Sequence, residues 1–169
     1  MDKKIVLVTG GQRSGKSAFA EKLALELSEH PLYVATARIW DSDFAQRVEK
    51  HQKRRGLQWT TIEEEKYLGQ LHVDGCVVLI DCCTLWATNF LFDLEDPAEC
   101  QKALQTEFDQ FTSQNAVFIF VTNEIGMGGV SENELQRQFC DLQGWLNQYV
   151  AAYADDVYLL VSGIPMKIK

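Results

Sequence analysis

Apolar residues in this chain fall into short unbroken runs separated by stripes of helical period. Lys4-Ile5-Val6-Leu7-Val8-Thr9 is a β-branched run that ends at Gly10-Gly11. Residues 16–29 follow with apolar positions 19, 20, 23, 24 and 27, the i, i+3/i+4 spacing of a helix. Leu32-Tyr33-Val34-Ala35-Thr36 reads as the next strand, and residues 42–55 as a helix with Ser42 as N-cap. Val77-Val78-Leu79-Ile80-Asp81 and 116–122 are two more continuous apolar strands. The acidic stretch 93–109 reads as a solvated helix. Residues 133–153 carry Leu135, Phe139, Leu142, Leu146, Tyr149 and Tyr153, a long amphipathic helix, and 157–161 is a closing strand. Strands apolar at every position are buried on both faces, which predicts a mainly parallel sheet. Their alternation with helices predicts a doubly wound α/β fold, and 169 residues suit one domain spanning 1–169. Ligands in such folds bind at the carboxyl ends of the strands. Polar residues gather there: Thr9-Gly10, Thr36, Asp81 and Thr122-Asn123-Glu124.

The first strand–helix junction carries specific chemistry. Gly10-Gly11-Gln12-Arg13-Ser14-Gly15-Lys16-Ser17 matches the phosphate-loop pattern G-x-x-x-x-G-K-[ST] in the context the motif requires. Glycines let successive N–H groups turn inward on phosphate oxygens, and the helix N-terminus adds partial positive charge. In such loops the lysine, here Lys16, reaches the β- and γ-phosphates, and the serine, here Ser17, ligates Mg²⁺. Asp81 ends an apolar strand as a second Mg²⁺-directed acid does, although capping of the next turn also fits. Glu124 ends another strand, and the glycines at 126, 128 and 129 fit either a site loop or an ordinary connection. The expected fold class is therefore an α/β P-loop NTPase.

Composition narrows the partners. Sixteen basic against 24 acidic residues give a net charge of −8, which argues against nucleic acid and anionic membrane as general partners. No apolar run approaches the roughly 20 residues of a membrane span. Ile5 to Val8 is too short for a signal-peptide core, so a cytoplasmic location is expected. The cysteines at 76, 82, 83, 100 and 140 are odd in number and lack zinc-ligand spacing, so reduced thiols are expected.

One island of positive charge stands out. Residues 44–55 hold Arg47, Lys50, Lys53, Arg54 and Arg55 against Glu49 alone. Arg47, His51 and Arg55 are spaced i, i+4, i+8 and share one helix face. Like charge on both sides favours neutral imidazole, the nucleophilic form, and arginines hold phosphate oxygens bidentately. The face suits covalent attack on phosphorus. The same pattern also fits a solvated cationic face with an idle histidine.

Taken together, these motifs resemble the bifunctional adenosylcobinamide kinase / adenosylcobinamide-phosphate guanylyltransferase family of cobalamin biosynthesis. The resemblance runs through Val8-Thr9-Gly10-Gly11-x-Arg13-Ser14-Gly15-Lys16-Ser17, Tyr33-x-Ala35-Thr36, Arg47-x-x-x-His51 and Trp59-x-Thr61. It continues through Val121-Thr122-Asn123-Glu124-x-Gly126-x-Gly128, Asn147-Gln148 and the tail Val161-Ser162-Gly163-Ile164. It implies a RecA-like P-loop domain, ATP or GTP with Mg²⁺, and two transfers. A γ-phosphoryl group goes to adenosylcobinamide, then GMP goes from GTP to adenosylcobinamide phosphate through a histidine–GMP phosphoramidate. His51 matches the position of that histidine. The resemblance further implies nucleotide contacts from Thr36, Ala37, Arg38, Gln52, Lys53, Arg54, Arg55, Glu63 and Asp81, and a homo-oligomer, with trimers common. Asp81 departs from the family's frequent Glu, and Cys140 from a frequent basic residue. The different readings left open by the residues alone are a nucleotide-dependent switch and a P-loop kinase without guanylyl transfer.

Overall fold

The computed structural model describes residues 2–39 and 56–169. Strands β1 (Lys4–Gly10), β2 (Leu32–Ala35), β3 (Thr60–Glu63), β4 (Val77–Asp81), β5 (Val117–Val121), β6 (Asp156–Val161) and β7 (Ile164–Lys167) form one sheet in the order β3-β2-β4-β5-β1-β6-β7. Every pair is parallel except β6 with β7. The helices are α1 (Lys16–Leu27), α2 (Cys83–Leu94), α3 (Pro97–Phe111) and α4 (Glu134–Tyr153). The helix expected over 42–55, with Arg47, His51, Gln52, Lys53, Arg54 and Arg55, lies outside the described residues.

The two faces of the sheet are covered, as continuous apolar strands require. Side chains alternate between the faces with period 2. Val6, Val8, Leu79, Ile119 and Val121 pack with Ala20 and Ala24 of α1. Ile5, Leu7, Val78, Ile80, Phe118 and Phe120 pack with α2, α3 and α4 through Trp86, Leu104, Phe108, Leu142 and Leu146.

Four elements differ from the sequence reading, the first being α2, which it does not contain. Residues 93–109 are not one solvated helix. Glu95 takes φ +61° and ends α2, and Asp96 accepts from the Ala98 N–H to start α3. The charged residues of α3 ride on a buried stripe, Cys100, Leu104, Phe108 and Phe111. The strands β3 and β7 were not expected. Each is a short edge strand, largely exposed, so neither has the apolar run that marks β4 or β5.

Candidate active site

The carboxyl edge of the sheet collects the polar residues. Register fixes their sequence along the edge: Glu63 opposite Ala35, Ala35 opposite Asp81, Asp81 opposite Val121, and Val121 opposite Val8. At about 4.8 Å between strands, Asp81 lies roughly 10 Å from the phosphate-loop strand, and Glu63 roughly 19 Å from it.

The loop at 10–17 wraps the start of α1. Gly10 and Gly15 have φ of +154° and +92°, and Arg13 enters the left-handed region at +56°. Gly15 caps α1 without a side-chain bond, and the first turn carries no acid to neutralise the helix dipole. The Lys16 ammonium is nearly buried and donates to the Gly11 carbonyl. Burial lowers its pKa, opposed by the field of the Asp81 carboxylate. Gln12 and Arg13 are exposed and Ser17 is half-buried at the helix start.

Asp81 is half-buried, and the Tyr33 hydroxyl donates to its Oδ2 at 3.0 Å. Next to it, burial pushes the Cys82 thiol up to about 11 and Cys83 also upward, so both stay protonated at neutral pH. Thr36 is fully buried: its hydroxyl donates to the Cys82 carbonyl at 2.8 Å and accepts from the Cys82 N–H at 2.9 Å. It therefore ties the end of β2 to the end of β4, and its side chain faces protein. Arg38 spans Glu65 at 2.6 Å and Asp93 at 2.8 and 3.0 Å, and Lys66 adds a second cation to Asp93 at 2.7 Å. Glu63 is exposed beside a cleft of about 420 Å³ that Arg38, Glu64, Glu65, Lys66 and Tyr67 also line. Among the described residues, the expected ones thus form two groups on one edge, the loop with Asp81 and the cluster around Arg38 and Glu63.

Two supports escaped the sequence reading. The Ser162–Gly163 turn between β6 and β7 has φ of +52° and +82°, the two-residue hairpin geometry. Its Gly163 N–H donates to the Ser14 carbonyl at 2.9 Å, bracing the phosphate loop from outside. A small-residue pair between two β-rich runs was the available signal. The second support holds the end of β5. Thr122 donates to Asn147 Oδ1 at 2.7 Å and accepts from Gln143 Nε2 at 2.9 Å, and Asn147 donates to the Asn123 carbonyl at 3.0 Å. The Asn123 N–H in turn donates to Thr84 Oγ1 at 3.1 Å, and the Glu124 N–H donates to the Gly10 carbonyl at 3.0 Å. Glu124 is therefore fixed against the loop's first glycine.

Known proteins bear on this arrangement at two levels. Solved structures give the fold: a KaiC-like protein of Pyrococcus horikoshii superposes with a TM-score of 0.50 at 18% identity, over 94% of this chain and 72% of that one. The flagellar accessory protein FlaH of Methanocaldococcus jannaschii superposes with a TM-score of 0.50 at 13% identity, over 98% and 76%. The architecture is that of a RecA-like P-loop domain. Sequence relatives are nearer. The chain is 42% identical to the bifunctional adenosylcobalamin biosynthesis protein CobU of Escherichia coli, over 98% of this chain and 99% of that protein. It is 40% identical to the protein of the same name in Salmonella typhimurium over the same shares, and 36% identical to CobP of Pseudomonas aeruginosa over 96% of each. The family profile described as cobinamide kinase / cobinamide phosphate guanyltransferase matches residues 6–168, and the chain belongs to that family.

Proposed function

We propose that this chain carries out both reactions of its family on one carboxyl edge. In the first, the γ-phosphoryl group of ATP or GTP passes to the aminopropanol hydroxyl of adenosylcobinamide, leaving the nucleoside diphosphate. In the second, the neutral imidazole of His51 attacks the α-phosphorus of GTP and releases pyrophosphate. The phosphate of adenosylcobinamide phosphate then displaces His51 and forms adenosylcobinamide-GDP. The observation that carries the reading is the family match across residues 6–168.

The loop N–H groups from Gly10 to Ser17 cradle the phosphates, and Lys16 neutralises charge on the β- and γ-oxygens. Ser17 and Asp81 offer hydroxyl and carboxylate oxygens, the donor type Mg²⁺ takes beside substrate phosphates. When bound there, Mg²⁺ would supply positive charge to those phosphates. Ala37, Arg38 and Glu63 receive the nucleoside end across β2 and β3, with Thr36 holding that edge from within, and Gln52, Lys53, Arg54 and Arg55 follow His51 in the chain. Arg38 then exchanges a carboxylate partner for the nucleotide. A cytoplasmic homo-oligomer, a trimer, completes the reading.

Mass spectrometry of GTP-treated protein, digested in alkali, tests it. The expected result is one GMP adduct on His51. His51→Ala should lose guanylyl transfer and retain phosphoryl transfer to adenosylcobinamide. Lys16→Ala should lose phosphoryl transfer by several kcal/mol in barrier, as for other charge-stabilising groups. An adduct on Lys50, or product from His51→Ala, would overturn the assignment.

A further inference from the structure

A cleft of about 730 Å³ opens between α2 and the first turns of α4, walled by Thr88, Leu91, Phe92, Leu135, Gln136 and Phe139. Its lining holds no lysine or arginine, and its surface is mostly apolar. Phe92 and Leu135 are more than half exposed there, and Met127 and Val130 of the preceding loop are 79% and 88% exposed. Leu135, Met127 and Val130 thus put exposed apolar surface beside the cleft of a chain of charge −8, the signature of a binding surface.

The cleft adjoins the phosphate loop through a short chain of contacts. The Glu124 N–H bonds the Gly10 carbonyl, and the neighbouring Asn123 bonds Thr84 Oγ1 through both its N–H and its side-chain amide. The Thr88 hydroxyl, on the cleft wall, donates to the Thr84 carbonyl at 2.8 Å. Topology agrees, because α2 follows β4, α4 follows β5, and β5 lies between β4 and the phosphate-loop strand. An apolar wall without cations does not suit a triphosphate. It suits a bulky acceptor with methyl-rich flanks and neutral amide arms, for which Thr88, Asn133 and Gln136 supply hydrogen-bonding groups.

We propose that this cleft seats one flank of the corrinoid acceptor, with its hydroxyl-bearing arm running past Thr84 and Asn123 toward the phosphate loop. The proposal rests on the function proposed above. Leu135 is the position to test. It stands in the first turn of α4, where an acid complements the helix dipole, so Leu135→Glu is compatible with folding.

The probe is dicyanocobinamide, titrated by its visible absorption, alongside steady-state kinase assays. Leu135→Glu should weaken corrinoid binding about tenfold or more, the loss of one buried leucine contact. The KM for nucleotide and the formation of the GMP adduct from GTP alone should stay as in wild type. Leu135→Met should restore corrinoid binding. Unchanged titration in Leu135→Glu, or an equal rise in both KM values, overturns the cleft. So does a change in oligomeric state by light scattering, which would make this face a contact between copies. Failure of the wild-type protein to act on cobinamide would instead overturn the function, and the titration would still test the cleft.

Discussion

Gly10 is a fixed position of the motif and Gly11 a free one, and the surroundings of the two differ accordingly. A Cβ on Gly10 would sit 2.5 Å from the Leu160 carbonyl oxygen and 2.7 Å from Ser14 Oγ, at a φ of +154°. A Cβ on Gly11 would meet nothing within 4 Å. Gly10→Ala must therefore displace backbone of β6 or leave its conformation, at about 1–3 kcal/mol for such strain. Gly11→Ala should cost about 0.5 kcal/mol or less, as for ordinary exposed positions. Thermal unfolding and nucleotide titration of the two variants check this, with affinity falling for Gly10→Ala and holding for Gly11→Ala. At this scale the sequence was informative where backbone geometry rests on a local run. The loop, Lys16 and Asp81 stand where the motif predicts. Thr36 was legible only in part. Its position was right, but its bonds to Cys82 arise from a pairing 46 residues away that no local pattern encodes.

Among the elements, those buried on both faces were readable and those on the rim were not. β1, β4 and β5 carry unbroken apolar runs because neighbouring strands and helices enclose them. β3 and β7 are single-neighbour edges, and their sequences carry polar residues or Pro165 that blur the pattern. The long helix α4 was evident from its apolar stripe, but its polar contribution was not. Gln143 and Asn147 turn inward from that stripe and hold Thr122. Thr122→Val tests their value. It keeps the shape and removes both hydroxyl bonds, while the Gln143 amide still donates to Asn147 Oδ1 at 2.8 Å. The expected loss is about 1 kcal/mol, the usual net value of a hydrogen bond whose partners stay bonded elsewhere. Urea unfolding gives that loss. The KM for nucleotide should rise with it, because the same segment bonds the loop at Gly10.

For the molecule as a whole, two carboxylates join segments far apart in sequence and adjacent in the sheet. Asp93 of α2 takes Arg38, which follows β2, and Lys66, which follows β3. Asp156 of β6 takes Lys4 of β1 and Lys167 of β7. In each case hydrogen bonds to the two cations hold the carboxyl below its ordinary value, against a smaller opposing effect of burial. A depressed carboxyl contributes stability that is fully present above its unfolded value near 4 and is lost as pH falls toward the folded value. The unfolded chain binds protons first, so the stability these two groups contribute declines from about pH 4 downward. Both groups are partly exposed, so salt screens them and each contributes modestly. Asp93→Asn should lower the urea midpoint at pH 7 and lower it less near pH 2, where protonation of the unfolded chain has already removed much of the linked stability. The slope of stability against pH between those values should therefore be shallower in the variant. Equal losses at both pH values would mean that Asp93 acts through packing and hydrogen-bond geometry, and that its charge contributes nothing to holding α2 against the ends of β2 and β3.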